Sequence, residues 1–86
     1  MDCQWDTVKA KANAKKHGVE FADAVGVFDD PDAITMEDPD SEGEQQFLSL
    51  GLDILGRVLV VAYTYRGDDL RLISARKATK KEVRFL

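Results

Sequence analysis

A chain of 86 residues has room for one small core and none for a catalytic cleft between two domains. Hydrophobic residues make up 44% and charged residues 33%, a globular balance that excludes a disordered chain. The net charge of −4 excludes a general nucleic-acid coat protein, and the longest apolar run, Val58–Tyr63, falls far short of the roughly 20 residues that span a bilayer.

Asp6 is a candidate N-cap for a helix over Thr7–His17. Val8, Ala12 and Lys15 or Lys16 recur there at helical spacing, Gly18 follows as a C′ residue, and Lys15, Lys16 and His17 suit the negative end of the helix dipole. Trp5 and Val19 are expected to pin this helix to the core. Phe21, Ala24, Val25 and Phe28 repeat at i, i+3, i+4, i+7, which predicts a second helix over Glu20–Phe28, stopped at Asp30 before Pro31. Strands follow. Ala33–Glu37 is short, and the polar segment 38–44 connects it to Gln46–Ile54. That strand alternates Phe47, Ser49, Gly51 and Asp53 against Leu48, Leu50, Leu52 and Ile54. Gly56 turns the chain into Arg57–Arg66, apolar on both faces and therefore expected at the centre of the sheet. Gly67-Asp68-Asp69 is a hairpin signal leading into Leu70–Arg76, which alternates Leu70, Leu72, Ser74 against Arg71, Ile73, Ala75. Lys77–Leu86 predicts a final short helix with a capping box from Thr79 to Glu82. Helices followed by strands predict an α+β fold with an antiparallel meander, in a single domain over residues 1–86.

Charge is segregated along the chain. Residues 1–18 carry four Lys and two Asp, a balance of +2. Residues 19–56 carry eleven acids and no Lys or Arg, and residues 57–86 carry eight Lys or Arg against three acids. The basic end can hold an anion if the fold keeps the acidic stretch away; otherwise the two blocks pair or sit apart as solvated faces. Cys3 is the only cysteine, which excludes an internal disulfide and a cysteine zinc site. The lone cysteine and the lack of a basic-then-apolar secretory signal fit the cytoplasm.

Three strings stand out in the first half: Trp5-Asp6-x-x-Lys9, Asn13-x-x-Lys16-His17-Gly18-Val19-x-Phe21-x-x-Ala24, and Val27-Phe28-x-Asp30. In the second half stand Gly51, Arg57-x-Leu59-x-Val61, Tyr63-Thr64-x-Arg66, and Ile73-Ser74-Ala75-Arg76-x-Ala78-x-x-x-Glu82. In order and spacing the whole resembles the BrnT family of toxins from type II toxin–antitoxin modules. The resemblance implies a RelE-like fold with two N-terminal helices packed on a four-stranded antiparallel sheet and a short C-terminal helix. It implies a small bacterial endoribonuclease that halts translation; cleavage through the RNA's own 2′-OH needs no metal or cofactor. It also implies a hetero-oligomer with a BrnA-type antitoxin, through which alone DNA would be contacted; no membrane association is expected, since no apolar run is long enough to span a bilayer. The chain departs from many members near Gln46, where they carry an Arg and this chain has Glu44-Gln45-Gln46, and near Phe85, where many carry a Tyr.

Cutting RNA through its own 2′-OH needs charge neutralisation on the phosphate and two proton transfers. Arg66 and Arg76 are the candidate catalytic cations, because a guanidinium can grip two phosphate oxygens. Both are favoured by the resemblance, whereas the strand register puts them at opposite ends of a hairpin; Arg66 can also be a solvated hairpin residue. Lys77, Lys80, Lys81 and Arg84 are candidate RNA contacts, or else a solvated helix face. Glu82 can serve as the cap of its helix or as a general base, and neighbouring cations would lower its pKa. Lys16 and His17 are further candidates; the helix dipole is the simpler reason for His17. An alternative to the enzyme is a binding module of the same fold, catalytically weak, that serves as the partner-binding half of a repressor complex.

Overall fold

The computed structural model describes residues 2–41 and 43–86. Its elements are β1 (Cys3–Gln4), α1 (Thr7–His17), α2 (Phe21–Ala24) running into a 3₁₀ turn (Val25–Asp29), β2 (Ile34–Glu37), β3 (Phe47–Leu52), β4 (Val58–Arg66), β5 (Asp69–Lys77) and α3 (Lys80–Val83).

Helix α1 starts and stops as its sequence predicts. The Asp6 carboxylate accepts from the N–H groups of Val8 and Lys9, and Gly18 closes the helix at φ 68°. Its helical-spacing apolar residues are not what it buries. Val8 is 75% exposed, and the buried residue of the helix is Asn13. The second helix is shorter than predicted and tightens to 3₁₀ from Val25. There the Asp23 carbonyl, which a continued α-helix would offer to Val27, accepts from Ile54 N–H at 3.4 Å.

The sheet has five strands in the order β1-β5-β4-β3-β2, which corrects the expected four-stranded antiparallel sheet. The added strand, β1, runs parallel to β5 and pairs Cys3 with Leu70 and Gln4 with Arg71. Two residues are too short to carry a period, so nothing in the pattern announces them. β4 is central, as its apolar run requires, and pairs antiparallel with β3 and β5. A register shift interrupts β4–β5: Ala62 faces Ser74 but Tyr63 faces Leu72, leaving Ile73 as an extra residue. The bulge overturns the simple alternation, so that Leu70, Leu72 and Ala75 all join the core.

That core lies between the helices and one face of the sheet. Val19, Phe21, Ala24 and Val27 pack on Leu59, Val61, Tyr63, Leu70, Leu72 and Ala75. Trp5 meets Phe21 edge-on at 6.0 Å, and Phe28 meets Tyr63 edge-on at 4.9 Å. On β3, Phe47, Ser49 and Gly51 lie opposite Tyr63, Val61 and Leu59 and so belong to this face. Leu48 and Leu50 therefore point to the other face, where they line a groove with Ile34, Met36, Val60, Glu82 and Phe85. α3 covers only four residues rather than the predicted 77–86, because β5 runs on through Lys77.

Candidate functional site

Arg76 sits near the end of β5, opposite Val60, on the sheet face away from the core. The chain then leaves the sheet, and Thr79 opens α3 with a complete capping box. Thr79 Oγ1 accepts from Glu82 N–H at 3.2 Å, and Glu82 Oε1 accepts from Thr79 N–H at 2.9 Å. The box turns the Glu82 carboxylate back toward β5. Arg76 donates to it through both arms of its fork, Nη1 to Oε1 and Nη2 to Oε2, each at 2.8 Å. Glu82 is thus both the cap of its helix and the partner of Arg76.

The electrostatics follow from that geometry. The two Arg76 hydrogen bonds, helped by the Thr79 N–H, hold the Glu82 carboxyl down at about 2. Glu82 in turn holds the Arg76 guanidinium above its ordinary value. The side chains are 40% and 29% exposed, so the pair is open to an anion arriving from solvent. Lys77, Lys80, Lys81 and Arg84 surround this segment, all exposed and none in an ion pair among the described residues.

Arg66 does not join this cluster. It ends β4 opposite Asp69 and pairs with Glu44 at 3.3 Å. Arg66 lies six residue steps along β4 from Val60, the partner of Arg76, or about 20 Å along an extended strand. Convergence of both guanidinium groups on one phosphate, which the resemblance favoured, is not what the fold provides. Lys16 and His17 are elsewhere again. With Lys9, Ala12, Asn13, Ile73 and Ser74 they line a shallow cleft between α1 and β5.

Two further features of this part of the molecule lie outside the candidate residues. Arg57 is fixed by Asp53 through Nε at 2.9 Å and Nη2 at 2.8 Å and reaches the Gly18 carbonyl at 3.3 Å, so this arginine is spoken for. The apolar groove beside Glu82 also went unremarked. Its signal was present: Ile34 and Met36 on one strand, and Leu48 and Leu50 on the next, are two period-2 stripes. Among the described residues no group of three or more His, Cys, Asp or Glu side chains could hold a metal ion, and no helix is long and apolar enough to cross a membrane.

The model of a family described as the ribonuclease toxin BrnT of type II toxin–antitoxin systems matches residues 5–82. Among solved structures, the chain is similar to the crystal structure of the Brucella abortus ribonuclease toxin BrnT. The two share 24% identity at a TM-score of 0.69, covering 93% of this chain and 99% of that one. At that identity the likeness bears on the fold. A search of curated proteins finds no match.

Proposed function

The chain belongs to the BrnT family of ribonuclease toxins of type II toxin–antitoxin systems, and from that premise we propose that it is a metal-independent endoribonuclease whose phosphate site is the Arg76–Glu82 pair. The observation that carries this reading is the two-armed contact between them at 2.8 Å, on a rim of otherwise unpaired cations. A guanidinium already splayed to hold two carboxylate oxygens is shaped to hold two phosphate oxygens instead.

The exchange would change both partners. While Arg76 grips Glu82, the carboxyl at about 2 is a poor proton acceptor at neutral pH. When a phosphate takes the fork, Glu82 loses its largest stabilising contact and its pKa rises toward the ordinary carboxylate range. Glu82 then takes the proton of the RNA 2′-OH. The 2′-oxygen bonds to phosphorus, the P–O5′ bond breaks, and the departing 5′-oxygen takes a proton from solvent or a neighbouring ammonium. The products are a 2′,3′-cyclic phosphate and a 5′-hydroxyl. Lys77, Lys80, Lys81 and Arg84 hold the flanking phosphates. Arg66, about 20 Å away along the strand, serves as an outlying backbone contact at most. Cleavage of this kind would halt translation, and a BrnA-type antitoxin would neutralise it.

The test is incubation of the purified chain with RNA in EDTA, with and without ribosomes. Cleavage that disappears in Arg76→Ala, with the fold intact, supports the assignment. Undiminished cleavage by Arg76→Ala would remove it. A second reading, the catalytically weak binding module, is favoured by one observation: Glu82 already occupies both arms of Arg76. No cleavage in either setting would select that reading.

A further inference from the structure

The sheet face opposite the core is not closed. Ile34, Met36, Leu48, Leu50 and Val60 floor a groove of about 320 Å³, walled on one side by Glu82 and Phe85. It continues past Ile34 and Phe85 into a second hollow bordered by Leu52, Leu86 and the carboxylates of Asp30 and Asp32. Ile34, Met36, Leu52, Phe85 and Leu86 are between 40% and 69% exposed, so five large apolar side chains share one wet surface. A continuous apolar patch of that kind marks an interaction surface. It is a poor small-molecule site, since among the described residues Glu82 is the only polar side chain on the groove wall and it is committed to Arg76.

Charge decides the kind of partner. β2 and β3, which supply most of the floor, carry one acid, Glu37, and no Lys or Arg, so Asp30 and Asp32 set the charge at the open end, while Lys80, Lys81 and Arg84 belong to the segment of the Glu82–Phe85 wall. Asp30 and Asp32 stand at the open end with no ion pair among the described residues. Asp30 stays ionised, because hydrogen bonds from the N–H groups of Leu52 and Asp32 hold its carboxyl below the usual range. We propose that this groove docks an amphipathic helix of the antitoxin, with apolar side chains at i, i+3, i+4 and i+7 on the Ile34–Met36–Leu50 floor and Lys or Arg side chains turned to Asp30 and Asp32. The proposal rests on the toxin–antitoxin reading above. A helix seated there touches Glu82 and Phe85 and so presses on the segment that holds Arg76.

The probe is a fluorescent helical peptide of about 15 residues with Leu on one face and Lys on the other, compared with its Leu/Glu counterpart. Fluorescence anisotropy on the full chain should show the Leu/Lys peptide binding at least about tenfold tighter than the Leu/Glu peptide. Ile34→Lys with Met36→Lys should weaken it at least about tenfold, and Asp32→Asn a few-fold, while Val8→Lys on α1 leaves it unchanged. Met36→Lys alone, at a half-exposed position, covers the case in which the double variant fails to fold. Equal binding of both peptides, equal binding by the groove variants, or a concentration-dependent dimer of the chain that excludes the peptide would overturn the proposal. The EDTA cleavage assay on the same preparation separates the two readings. RNA cut without peptide binding sinks the docking site alone, and peptide bound without cleavage sinks the enzyme alone.

Discussion

Asn13 pairs with Ala75 as a neighbouring strand would. Its Oδ1 accepts from Ala75 N–H at 3.0 Å, its Nδ2 donates to the Ala75 carbonyl at 2.9 Å, and the same nitrogen donates to the Val19 carbonyl at 3.0 Å. β1 covers β5 only as far as Arg71, so beyond it the edge of β5 is open, and one side chain closes it where α1 crosses. Replacing Asn13 with Ala would leave three buried backbone groups without partners. The expected loss is about 2–4 kcal/mol, read as a lower urea midpoint at unchanged slope. Asn13→Asp should be no better, because a carboxylate cannot donate to the two carbonyls.

The Asn13 contact also shows where the sequence was legible and where it was not. Periodicity and caps located α1, the central β4, the hairpin at Gly67 and the Thr79 capping box, because each is written in residues adjacent along the chain. What failed was set by distant contacts. Asn13 reads as a helix polar residue until β5 lies beside it. The bulge at Ile73 needs the partner strand to be seen, and β1 is only two residues long. Arg76 and Glu82 were both singled out, but their pairing depends on a turn of chain after Lys77 that pattern alone cannot aim.

Asp53 does for the β3–β4 turn what Asn13 does for the sheet edge. Its side chain is fully buried and accepts from Leu55 N–H at 3.0 Å, Arg57 N–H at 2.8 Å and the Arg57 guanidinium. Burial pushes its carboxyl up, but the Arg57 hydrogen bonds outweigh that and leave it low. Asp53→Ala should cost about 2–4 kcal/mol, since it strands the Arg57 charge and two turn amides. A double-mutant cycle with Arg57→Ala should show strong coupling.

Close approach explains a glycine packed against the same turn. A Cβ on Gly26 would lie 2.6 Å from Ile54 N and 2.7 Å from its Cγ2. Gly26→Ala must push the 53–56 turn outward and lose the contact between Asp23 and Ile54. The expected destabilisation is about 1–3 kcal/mol, measured by thermal unfolding.

Acid should unfold the chain with a slope that Glu82 helps to set. Its folded pKa of about 2 lies below the ordinary 4.5, so the unfolded chain binds more protons between those values. Its stabilisation is full above about pH 4.5 and falls as the pH drops toward 2. Asp53 acts in the same direction. For Glu82 the amount is on the order of 1 kcal/mol after solvent screening of a partly exposed pair. Urea midpoints measured from pH 6 down should flatten in Glu82→Gln, and an unchanged slope would show that the pair contributes nothing.

Glu82→Gln also separates binding from chemistry. The variant keeps a side chain able to accept from Thr79 N–H but loses the charge that occupies both arms of Arg76. With a weaker competitor, Arg76 becomes a better anion receptor, so RNA should bind more tightly and with a steeper salt dependence. Cleavage should nonetheless fall by about 10²–10⁴ if Glu82 takes the 2′-OH proton, because an amide cannot. A parallel rise in both affinity and cleavage would leave Glu82 as a latch on Arg76 and require another base. Filter binding across a salt series, paired with single-turnover cleavage, reads both quantities on one preparation.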